Sequence, residues 1–190
     1  MAMPLQPLLP LLMVLSISFV FATRSSIAAA AGDDSLKTAC SETTFSGICV
    51  ETLKSIPEIQ TASPRQVALA ALKYLIKEGE TLVVESQREV AGSKDVAIKP
   101  CLTVLDTKLK SHVEPLSKLT PELSDAKFWE ATDVVTGMLS AVSNDAEICM
   151  GNAVSKNPNP IITKIFKYEE MLQVTGDLME NAQAASLPHP

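Results

Sequence analysis

An all-α fold, with four long helices closing one bundle behind two short helical pieces, is predicted by three observations. Apolar residues between the prolines recur at helical spacing, in alternating steps of three and four. No stretch alternates polar and apolar residues over the length of a strand. Aromatic residues make up only 4% of the 190-residue chain. That is too few for most β-sandwiches, whose strands favour aromatic and β-branched side chains.

The N-terminus stands apart from this fold. Leu8 to Ala22 reads LLPLLMVLSISFVFA, fifteen residues interrupted only by Pro10 and two serines. The run is too short to span a bilayer comfortably and suits the apolar region of a signal peptide. Small residues follow at Ala22 and at Ala28–Ala31, so residues 1–31 are expected to be a signal peptide cleaved between 22 and 31. No Lys or Arg precedes the apolar run, which keeps a signal anchor or transit peptide as the alternative. Arg24 is the only charge in this leader, so its removal moves the net charge from −6 to −7. The apolar share falls from 46% to about 42%, close to ordinary globular composition. What remains, residues 32–182, is long enough for one core, and 183–190 is expected to be a flexible tail. A surplus of acid argues against nucleic acid or an anionic membrane as partner, because both require a positive face.

The elements follow in order. Residues 35–56 read as two short helical pieces broken around Thr44–Gly47. Helices of that length are marginal alone in water and need a staple or a packing partner. Ser63-Pro64 is a cap followed by a proline at the first helical position. From there Ala68, Leu72, Leu75, Gly79, Leu82 and Ser86 form one stripe that ends near Gly92. The second long helix runs from Pro100 towards Leu119 with Leu102, Leu105, Leu109 and Val113 on one face, and Pro115 should kink or end it. The third starts at Ser124-Asp125 and carries Phe128, Ala131, Val135, Met138, Val142 and Cys149. The fourth starts at Asn159-Pro160 and carries Ile161, Ile165, Tyr168, Leu172 and Met179 to about Asn181. Four long helices with short links make a bundle.

In an oxidising compartment the four cysteines read as a disulfide framework rather than a metal site, since no C-x-x-C pair occurs. Three connectivities are open, and sequential pairing, Cys40–Cys49 and Cys101–Cys149, is the expected one. No Asn-x-Ser/Thr sequon occurs, so no N-glycan is expected. The search for catalysis is nearly empty. His112 has no nucleophile tied to it by a motif and is read as a surface histidine; His189 lies in the tail. Glu169 and Glu170, and Asp145 and Glu147, read as solvated helix faces. Phosphate-binding, dinucleotide, zinc-protease and serine-hydrolase motifs are absent. The chain is therefore expected to act through its surface, as no enzyme, with no cofactor and no metal.

The stretch Cys40-Ser41-Glu42-Thr43-Thr44-Phe45-Ser46-Gly47-Ile48-Cys49 resembles the C-x-x-T-x-Y-P-x-x-C opening of the plant invertase and pectin methylesterase inhibitor family. Thr43 matches, Phe45 replaces the tyrosine and Ser46 the proline. Lys99-Pro100-Cys101, Met138-Leu139-Ser140-Ala141 and the run Asn144 to Cys149 are similar to the family's second cysteine pair and the segment between. The resemblance covers about residues 36–180. It implies an antiparallel up-down-up-down four-helix bundle with an N-terminal helical hairpin, bridged by two disulfides. It also implies a secreted proteinaceous inhibitor in the apoplast, cell wall or vacuole, either a monomer or in a 1:1 complex with its target.

Two enzymes are candidate partners. Ser124-Asp125-Ala126-Lys127-Phe128 is similar to the Pro-Lys-Phe segment that invertase inhibitors insert into the cleft of acid invertase, with Ala126 in place of proline. The resemblance makes Lys127 the partner of the two catalytic carboxylates and an adjacent aromatic the occupant of the sugar subsite. Asp125, Lys127, Phe128 and Trp129 are thus the expected target-binding residues. Phe128 is equally the first rung of the third helix's stripe, and Trp129, the only tryptophan, lies about 100° off it. The alternative target is pectin methylesterase. Inhibitors of that branch carry a tyrosine four residues after the third cysteine and an alanine two further on, where this chain has Leu105 and Thr107. A non-inhibitory bundle of the same family is the third reading.

Overall fold

The computed structural model describes residues 31–119, 124–142 and 159–186, and among them every regular element is helical. In chain order these are α1 (Ala31–Ser41), α2 (Ser46–Leu53), a 3-10 turn (Pro57–Thr61), α3 (Pro64–Gly92), α4 (Lys99–Ser117), α5 (Asp125–Val142) and α6 (Pro160–Ala184). Around the bundle α3 packs on α4, α4 on α5, α5 on α6, and α6 closes the ring on α3.

The long helices begin where cap chemistry predicts. The Ser63 hydroxyl accepts from the Gln66 N–H while the Gln66 side chain accepts from the Ser63 N–H at 2.7 Å, a reciprocal capping box. At α6, the Asn159 side chain accepts from the Ile161 N–H at 2.9 Å and donates to Glu89 on α3 at 2.9 Å. One residue thereby starts α6 and ties it to α3. Lys164 pairs with Glu85 one turn on. Rising numbers on α6 thus meet falling numbers on α3, as antiparallel neighbours must.

The predicted stripes are the buried faces. All six stripe residues of α3, from Ala68 to Ser86, are buried, as are Leu102, Leu105, Leu109 and Val113 on α4. Phe128, Ala131, Val135 and Met138 on α5 are buried too. α6 is buried on more than one stripe, including Ile162, Met171, Val174 and Leu178. It packs on α3 and α5 and also receives the hairpin through α2. It extends to Ala184, past the expected end at Asn181. Pro115 neither kinks α4 visibly nor ends it at once; the helix stops two residues later at Ser117. So near the C-terminus the proline removes only one late backbone bond. Glycine is required where helices come closest: a Cβ on Gly79 would lie 2.7 Å from Tyr168 Oη and 2.8 Å from Val113 Cγ2.

The hairpin breaks at residues 42–45, slightly before the expected position. Cys40 and Cys49, both fully buried, are joined in a disulfide. The Thr44 N–H donates to Asp177 of α6 at 2.7 Å, and Asp177 also accepts from Gln173 at 2.8 Å. The 3-10 turn that follows, with Ile59 buried, has no counterpart in the sequence reading. Cys101 is also disulfide-bonded, and its expected partner Cys149 lies outside the described residues. So do the proposed leader, the tail beyond Ser186, Asp145, Glu147 and His189.

Candidate functional site

The first turn of α5 arranges its residues by helical geometry. The Phe128 N–H donates to the Ser124 carbonyl at 2.9 Å, closing the turn across Asp125, Ala126 and Lys127. Phe128 points into the bundle and is only 4% exposed. The Arg65 guanidinium, one residue into α3, sits 4.8 Å from the centroid of its ring, within cation–π range. The next turn is fixed by the Thr132 hydroxyl, which donates to the Phe128 carbonyl at 2.9 Å.

With Phe128 turned inward, its neighbours at about ±100° flank it on the outside. Lys127 is exposed, and Trp129 keeps 38% of its surface in solvent. Of the two roles open to Phe128, the structure displays the core role; the aromatic presented beside Lys127 is Trp129. Asp125 opens α5. The four residues singled out in sequence therefore share one turn, but they do not share one face. Leu105 is part of the core at 2% exposure.

A second group was misread from sequence. His112 and Glu169, taken as solvated, are half-buried and line a narrow crevice with Lys108, Ile165 and Tyr168. Burial, reinforced by Glu170, pushes the Glu169 carboxyl up to about 7. Burial first, then Lys108, holds the His112 imidazole below its usual value. Tyr168 is held well above the ordinary phenol range by burial, and its hydroxyl has no hydrogen-bond partner. The signal for Glu169 was present, since it adjoins the buried Tyr168. A single-helix projection does not reveal that α4 covers the far side. A larger cavity of about 400 Å3 lies between α2, α3 and α6, lined by Glu51, Glu78, Lys164 and Tyr74 among others. Among the described residues no cluster of His, Cys, Asp and Glu could hold a metal, and no helix is long and apolar enough to cross a membrane.

An all-helical bundle carrying a disulfide-closed hairpin, with an exposed Lys-aromatic turn at one end, has the architecture of a proteinaceous inhibitor. The family model for plant invertase/pectin methylesterase inhibitors matches residues 34–184, and the chain belongs to that family. Comparisons with curated proteins and with solved structures return no match. Membership makes the chain an inhibitor of invertase or of pectin methylesterase, in a family whose members are inhibitors rather than enzymes and are generally extracellular.

Proposed function

We propose that this chain is a secreted inhibitor of acid invertase and that the first turn of α5 is its contact segment. The observation that carries the reading is the splayed arrangement around Phe128: a buried anchor holding an exposed lysine on one side and an exposed tryptophan on the other. Lys127 enters the cleft and pairs with the two carboxylates of the glycosidase, which sit close together in such enzymes. Trp129 supplies the aromatic surface for the sugar subsite, and Asp125 flanks the contact.

Ala126 stands where related segments have proline. Its place inside a hydrogen-bonded first turn gives the backbone the order that a proline would impose, so the segment is preorganised by the helix. The inhibitor acts by occupying the cleft; it offers no nucleophile and consumes nothing, and no cofactor enters the scheme. Leu105 and Thr107, in place of the tyrosine and alanine of the other branch, support the choice of invertase. Apolar residues 8–22 and the disulfide framework support export through a cleaved leader.

The test is a stoichiometric titration of acid invertase and of pectin methylesterase with the oxidised mature chain. Loss of sucrose hydrolysis at a 1:1 ratio, abolished by Lys127→Ala, is the expected result. Undiminished invertase activity at micromolar excess overturns the reading, and inhibition of methanol release from pectin instead would assign the chain to the other target.

A further inference from the structure

Between the 3-10 turn and the first half of α3 lies an open groove of about 540 Å3. Its floor is aliphatic, from Ile56 and Ile59 at the turn and Leu69 and Ala70 on α3. Lys73 and Lys77 stand one helical turn apart on its rim, both exposed, and neither is ion-paired with a described residue. Among the described residues no carboxylate lines the groove, although the whole chain carries a net charge of −6. The groove is thus a basic, apolar site on an acidic protein.

Its chemistry narrows the occupant. A hydroxyl-rich polysaccharide would leave polar groups unpaired over an aliphatic floor. A drug-sized ligand needs deeper enclosure than an open groove provides. A protein segment with an apolar anchor and a neighbouring carboxylate satisfies both floor and rim, and the lysines would draw it in electrostatically. The position of the groove also matters. Arg65 over the Phe128 ring joins the start of α3 to the start of α5, and the groove begins at the next residue, Gln66. Lys73 lies about 12 Å further along α3. A standard interface covers about 800 Å2 on each partner, roughly 30 Å across, so a protein seated on Lys127 and Trp129 extends over the groove.

We propose that this groove is a second docking site, which receives an acidic, apolar-anchored segment on the surface of the enzyme that the chain inhibits. The choice of enzyme rests on the invertase reading above. Lys73 and Lys77 govern the approach of the target, and the floor made by Leu69 and Ile56 governs how long it stays.

The test compares the wild-type chain with Lys73→Glu/Lys77→Glu, Lys73→Gln/Lys77→Gln and Leu69→Asn in binding to acid invertase at low and moderate salt. Thermal unfolding checks that each variant is folded. The charge-reversed pair is expected to associate about tenfold more slowly, with the glutamine pair between it and wild type, and with a weaker salt dependence in both. Leu69→Asn is expected to dissociate faster with an unchanged association rate. A charge-reversed chain that keeps the wild-type rates and salt dependence overturns the proposal while leaving inhibition through Lys127 intact. If the wild-type chain binds pectin methylesterase and not invertase, the invertase reading fails and the same variants decide the groove on that enzyme. Binding to neither overturns both.

Discussion

Phe128 and Lys127 are adjacent in sequence and serve opposite purposes. Truncating Phe128 to alanine empties a core position and removes the ring beneath Arg65, a loss of about 3–5 kcal/mol. Lys127→Ala should leave the urea midpoint nearly unchanged and weaken target binding by about 2 kcal/mol or more, the usual cost of deleting one partner of a buried charge pair. A Phe128→Ala chain as stable as wild type would refute the core placement. Glu169 supplies a pH signature. Its carboxyl titrates near 4.5 when exposed and at about 7 in the fold, so between those values the folded chain keeps a proton that the unfolded chain has released. Stability therefore falls as pH rises through that window. His112 acts in the opposite direction, weakening the fold as pH falls below 6.5. Glu169→Gln should lose less stability than wild type between about pH 5 and about pH 7.5, as read by urea unfolding. Equal losses would mean that Glu169 is solvated after all.

Elements were legible where a local signal sets them. Ser63-Pro64 and Asn159-Pro160 announce their helices because the caps satisfy backbone groups within three residues. Ser63→Ala should accordingly cost about 1 kcal/mol, measured as a shift in denaturant midpoint without a change of slope. The 3-10 turn at Pro57–Thr61 was not legible, because it is held by tertiary contacts of Ile59 rather than by a pattern of its own. The hairpin is intermediate. Its two pieces were visible in the sequence, whereas the Thr44–Asp177 bond that seats them on α6 spans a long stretch of chain. The Cys40–Cys49 loop contributes about 2.7 kcal/mol in the chain-entropy account. Reduction should therefore lower the melting temperature distinctly, and an unchanged melting temperature would contradict a structural role for the bridge.

At the scale of the molecule, the layout of the bundle followed from four amphipathic stripes, since each needs a neighbour on which to bury its face. The candidate site was only half legible. Sequence placed Asp125, Lys127, Phe128 and Trp129 together, but the choice of which side chain turns inward depends on Arg65 and the core of a helix distant in sequence. The same limit concealed the crevice at His112 and Glu169, which two helices build together. The acidic surface, net −6 overall, surrounds the basic groove at Lys73 and Lys77, so salt dependence of association should be governed by a local patch rather than by net charge. The central claim is that one turn of α5 blocks a glycosidase cleft. Parallel titrations of acid invertase with the wild-type and Lys127→Ala chains test it most directly. The account predicts 1:1 inhibition by the first and none by the second at equal stability. Full inhibition by Lys127→Ala, or no inhibition by either, would contradict it.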